Sequence, residues 1–257
     1  MTLRLAFVIV ATLFATQAMG DETQFVSGEP VRPAPDRAYV LVRTTEQSCA
    51  PLDCEPIVPV LVRSLHDDEL DQANALARQD PDHWRDRVES NTVAPSSAAY
   101  ARVGDENYFL LSIKPGTYLL SGVAVARGGM AGAFTLASLC MGTVKFDAKP
   151  GLIVDLGTIV TARDDKSTTV PELADYVTGK SLGDGLPPRA VAVRPAPPMT
   201  DEPEAVRSLP VVAADYRAVP RFPNYMGAAL MRLAPLAGVL AYDKDGEVID
   251  LKADLRP

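Results

Sequence analysis

This sequence is poor in the residues that carry most enzyme chemistry. Its 257 residues include two histidines, His66 and His83, and three cysteines, Cys49, Cys54 and Cys140. A metal centre of three or more histidines is excluded, and Ser-His-Asp chemistry would have to use one of only two rings. There is no Cys-x-x-Cys pair and no Gly-x-Gly-x-x-Gly run, which removes a dithiol redox centre and the dinucleotide fingerprint. Basic residues are outnumbered as well: 25 Lys and Arg face 33 Asp and Glu, a net charge of −8. Binding a polyanion needs a concentrated basic face, so this balance argues against nucleic acid and anionic lipid surfaces as partners.

Long apolar runs are missing too, apart from one. Leu5–Ala15 follows Arg4 and precedes Ala18-Met19-Gly20, the n-region, h-region and small-x-small site of a secretory signal peptide. Cleavage is expected before Asp21, with Thr16-Gln17-Ala18 as the fallback site. The run is short of the roughly 20 apolar residues of a spanning helix, and no cysteine follows it to take a lipid anchor. The next richest segment, Gly227–Tyr242, is interrupted by Arg232, Pro235 and Gly238. Residues 1–20 hold one base and no acid, so the expected mature chain of 237 residues carries −9. The expectation is an exported protein, periplasmic or associated with the outer surface, with no transmembrane segment after cleavage. Its length suits one large domain or a core domain with extensions.

In an oxidising compartment Cys49 and Cys54, in a loop with Pro51, Asp53 and Pro56, are the natural disulfide pair. Free thiols, a metal pair, or pairing of either with Cys140 stay open as alternatives. Cys140 lies between Leu139 and Met141, where a thiol behaves as a small buried hydrophobe.

What the chain has in plenty is short β-branched runs. After a proline-dotted extended lead-in over 21–37, Ala38–Arg43 and Val58–Arg63 read as strands buried on both faces. Ser64, the acids of the next turn and apolar positions at Leu70, Ala73, Leu76 and Ala77 predict a capped amphipathic helix. Asp80-Pro81 opens a second, carrying Trp84 and Val88, so a helical insert is expected over 64–91. Strands resume at Asn107–Ile113, Thr117–Val125, Phe134–Leu139, Thr143–Asp147 and Leu152–Val160. Lys114-Pro115-Gly116 and Lys149-Pro150-Gly151 repeat one tripeptide at two junctions. Proline presets the first corner of a turn and glycine supplies positive φ, so both are expected to reverse the chain. Regular short strands of this kind predict a mainly β fold over 38–162, a β-sandwich or barrel rather than a βαβ sheet. Residues 163–219 read as loop and proline-rich linker. The 220–257 segment reads as a helix over Asn224–Leu233, then a β-hairpin of Val239–Tyr242 and Val248–Leu251 around Asp243–Glu247.

Ala38–Arg43, the run Tyr108–Tyr118 with its Pro-Gly-x-Tyr turn, and Val144–Gly157 together resemble a group of bacterial envelope proteins with prealbumin-like β-sandwiches. The resemblance spans 36–162 and implies a prealbumin-like sandwich. The helical insert and everything after Ala162 lie outside it, and it brings no catalytic residues.

The remaining clusters read as surface. His66-Asp67-Asp68-Glu69 is the densest set of ligand types, but its acids suit a solvated first helical turn facing the dipole. Asp243-x-Asp245-Gly246 resembles the start of a calcium loop, yet Ala241 and Lys252 fall where carboxylates are required, which leaves a polar turn. No catalytic, metal or cofactor-binding residue is nominated, and no cofactor is expected. The leading expectation is a non-catalytic binding or structural module of the envelope, meeting an envelope protein or glycan through its end loops and a surface near Tyr225 and Met226. The alternative is an envelope hydrolase acting on cell-wall or glycan material.

Overall fold

The computed structural model describes residues 23–24, 34–46, 57–64, 75, 79–80, 91–93, 99–126, 134–163, 171–173, 189–196, 206, 209–222 and 229–253. The apolar runs become strands, and the protein is mainly β. In chain order the strands are β1 (Thr23–Gln24), β2 (Ala38–Glu46), β3 (Ile57–Ser64), β4 (Asn91–Val93), β5 (Ala101–Val103), β6 (Glu106–Ile113), β7 (Gly116–Ala126) and β8 (Phe134–Ser138). They continue with β9 (Thr143–Ala148), β10 (Ile153–Arg163), β11 (Arg189–Arg194), β12 (Val211–Ala213), β13 (Arg217–Val219), β14 (Ala229–Leu230), β15 (Leu240–Tyr242) and β16 (Val248–Asp250).

One sheet runs β1-β6-β2-β10-β11, with β5 also on β6 and β12 also on β10. The other runs β13-β9-β7-β3-β4, with β8 on β7 and β14 on β8. Inward residues of both, among them Val42, Phe109 and Val154 from the first and Leu120, Val144 and Phe146 from the second, share one core. At its centre Tyr118 stacks on Phe146 with ring centroids 6.1 Å apart, and Tyr216 meets Phe146 edge-on at 6.2 Å. Each buried hydroxyl finds an acceptor: Tyr118 donates to the Lys114 carbonyl and Tyr216 to the Leu156 carbonyl. Burying an aromatic of this size contributes roughly 1.5 to 3 kcal/mol, provided its polar tip is satisfied in this way.

The two Lys-Pro-Gly turns do more than reverse the chain. The first carries it from β6 in one sheet to β7 in the other, and the second returns it from β9 to β10. Gly116 opposes Ala148 in the β7–β9 ladder, so the two corners lie side by side at one end. Gly151 has φ +72°, the left-handed corner that a β-carbon disfavours.

Several expectations are corrected. The stretch expected as a helical insert is bounded by strand at both ends: Ser64 closes β3 opposite Thr117, and Asn91 opens β4, which pairs back on β3. Between them only Ala75, Gln79 and Asp80 are described; Ala75 and Gln79 are helical, and the rest of the expected helical insert lies outside the described residues. The lead-in is not merely extended, because Thr23–Gln24 adds an edge strand to β6. Nor is 163–219 simply linker. Pro171–Leu173 forms a 3-10 turn, β11 pairs with β10 over six residues, and β12 and β13 join opposite sheets. The prolines misled because they flank β11 rather than interrupt it; Arg189–Arg194 keeps all its backbone donors, and Val191 and Val193 point into the core. Ala229–Leu230 is a strand parallel to β8, not part of a helix over Asn224–Leu233. β15 and β16 pair antiparallel, and Met231, Leu233, Val239 and Leu240 enter the main core, so this stretch is built into the fold.

Candidate functional site

Arg43 stands near the end of β2, in a run apolar on both faces, and such a strand must neutralise any charge it carries. Tyr39 and Leu41 put their side chains on the face of the first sheet turned away from the second, and Arg43 follows them by alternation. On β6 its register partner is Tyr108. On β10 Asp155 opposes Leu41 and Thr158 opposes Arg43, so three steps on β10 match two on β2 and one residue is surplus. That irregularity contains Gly157, at φ +76°, where a β-carbon would lie 2.2 Å from the Arg194 carbonyl oxygen. A bulge of this kind re-aims the side chains beside it.

The result is a closed polar cluster. Arg43 Nη2 donates to Asp155 Oδ1 and Oδ2, both at 2.6 Å, with the two side chains 5% and 1% exposed. Gly157 N–H donates to Asp155 Oδ1 at 2.8 Å. Thr158 Oγ1 donates to Glu106 Oε1 at 2.8 Å, and the Arg43 guanidinium lies 5.8 Å from the Tyr108 ring centroid. Arg43 Nε is buried without a hydrogen-bond partner. Burial pushes the Asp155 carboxyl above its ordinary range, the Gly157 N–H and Arg43 pull it back, and Glu106 adds to the rise. Burial and Glu106 likewise raise the Tyr108 phenol.

Chemically, the cluster holds two carboxylates, a guanidinium and a phenol on three neighbouring strands. Its strongest ion pair is sealed, with no face of Arg43 or Asp155 offered to a substrate. Removing one partner of such a pair costs about 3 to 5 kcal/mol, because the other charge stays buried. None of these residues was nominated from the sequence. The available signal was a lone charge inside each apolar run, Arg43 in Ala38–Arg43 and Asp155 in Ile153–Leu156.

Of the residues that were singled out, Cys49, Cys54, His66, His83, Tyr225 and Met226 lie outside the described residues. Cys140 is buried and free, and burial raises its thiol. Asp243 Oδ1 accepts the backbone N–H groups of Asp245 and Glu247, which makes Asp243–Glu247 a self-satisfied turn. One further run, Gly179-Lys180-Ser181-Leu182-Gly183, has the Gly-x-Ser-x-Gly spacing. It lies outside the described residues. No protein family, curated protein or solved structure matches the chain.

Proposed function

We propose that this chain is an exported envelope protein, periplasmic or at the outer surface, working as a non-catalytic binding or structural module on a prealbumin-like sandwich. In this reading residues 1–20 are a signal peptide, and the loops at the sandwich ends, with the region of Tyr225 and Met226, meet an envelope protein or glycan. The observation that carries it is the closure of the polar cluster: Arg43 and Asp155 are 4% and 2% exposed, and their charges are spent on each other. A catalytic pair has to reach solvent or substrate, whereas a sealed pair serves the scaffold.

The convergence of Glu106 and Asp155 near Arg43 favours a second reading, an envelope hydrolase acting on cell-wall or glycan material. Incubating the mature protein with purified cell-wall sacculi separates the two. Retention on the sacculi with no soluble fragments released supports the module. Release of fragments, lost in Glu106→Gln or Ser181→Ala, establishes the hydrolase instead.

A further inference from the structure

Strand β10 has an ambiguity that its hydrophobic pattern does not resolve. Val154, Leu156 and Ile159 face the core between the sheets, while Ile153, Val160 and Ala162 are buried on the opposite face. In a strand with one wet face, a slip of one residue would expose the apolar set and be rejected. Here both faces are covered, so a slip exchanges one apolar set for another.

Yet β10 adopts one arrangement, with a single register change between Asp155 and Thr158. The groups fixed at that change are polar. Asp155, before it, is held by Arg43 and by the N–H of Gly157; Thr158, after it, is held by Glu106 of β6. If β10 slid by one residue, Asp155 would turn into the apolar core and leave two buried charges unpaired. If the bulge did not form and alternation ran unbroken through Gly157, Thr158 and Val160 would turn inward and Ile159 outward.

We propose that the Arg43–Asp155 pair is a register lock: it selects the one-residue shift in the parallel pairing of β2 with β10 and adds little to net stability. A buried ion pair suits that role, since desolvation offsets most of its attraction while a wrong register leaves both charges stranded. The inference gives the sealed cluster a structural purpose and stands whether or not the module reading of the whole protein does.

The test is the charge-free double variant Arg43→Leu/Asp155→Leu beside the two single variants. Each single variant strands one charge, and its Tm falls by roughly 6 to 20 °C. The double variant keeps its β circular dichroism and a Tm within about 5 °C of the parent, because only the offsetting terms are removed. Its amide NMR spectrum then shows doubled resonances confined to β2 and β10, with the nuclear Overhauser contact between Thr44 and Ile159 present in only part of the population. A single set of resonances with that contact intact overturns the proposal, since the register survives without the pair. So does a double variant that fails to fold while Arg43→Lys folds, which assigns the pair to stability rather than register.

Discussion

Tyr242 closes over Gly142. The ring and hydroxyl of Tyr242 occupy the space a β-carbon would need, since one built on Gly142 lies 2.8 Å from Tyr242 Cε1, from its hydroxyl oxygen and from Val248 Cγ2. The phenol donates to the Leu233 carbonyl at 2.7 Å, and the Arg232 guanidinium covers the ring at 4.8 Å from its centroid. The β15–β16 pair is thus seated in a notch that only glycine leaves open.

Gly142→Ala should therefore destabilise the protein by about 2 kcal/mol or more, through the clash and a φ of +142°. Tyr242→Phe removes the hydroxyl that donates to the Leu233 carbonyl, with a longer branch to the Gly142 carbonyl at 3.4 Å, and should cost about 1 kcal/mol. Combining Gly142→Ala with Tyr242→Ala should cost less than the sum of the two single changes, because removing the ring vacates the notch. Urea denaturation measures all of these, and strict additivity would show that ring and glycine do not meet.

Three of the other positive-φ glycines form a graded series. Gly104 and Gly151 have φ of +58° and +72° with nothing within 4 Å of a built β-carbon, so alanine there meets only backbone strain, about 1 to 2 kcal/mol. Gly157 has φ +76° and a backbone carbonyl 2.2 Å away, so alanine there adds a collision with a main-chain atom that cannot rotate aside. Gly157→Ala should cost about 3 kcal/mol or more, above both others. A Gly157→Ala protein as stable as Gly104→Ala would remove the bulge from the account of β10.

How much of this could be read from the sequence differs by element. β6, β7, β9 and β10 begin and end within a few residues of their apolar runs, because β-branched residues between turn residues have few other ways to be buried. β11 was hidden among prolines that read as linker, and its pairing with β10 is a long-range contact that local composition does not encode. The polar cluster was legible only as two isolated charges. Nothing in Ala38–Arg43 says that its arginine meets a carboxylate 112 positions later, because that meeting depends on β2 and β10 lying side by side.

Thiol titration tests the cysteine pairing. Cys140 is buried, with its thiol pushed up by burial, so it should resist Ellman's reagent in the native protein and react once unfolded. If Cys49 and Cys54 are bonded, guanidinium-unfolded mature protein prepared without reductant should yield one thiol, Cys140. A yield of three refutes the pairing, and a peptide map joining Cys140 to either of the others replaces it.

Acid stability should split between two aspartates of opposite sign. Asp215 accepts from Lys252 Nζ at 2.6 Å, and that bond, with Lys252, Arg217 and Lys149 nearby, holds its carboxyl below the ordinary range. A carboxyl depressed by folding contributes stability that is present above its unfolded pKa and lost as pH falls through its folded pKa. Asp155 is raised by burial, so its contribution is complete below its unfolded pKa and is lost as pH rises through the folded one. Asp215→Asn should thus lower Tm slightly at pH 6 and not at pH 2 to 3, and 1 M salt should shrink the difference because the Asp215 side chain is 86% exposed. Tm profiles of the parent and Asp215→Asn from pH 2 to 7 check this, and a difference that persists undiminished at pH 2 to 3 would mean that Lys252 does not hold the ionised carboxylate.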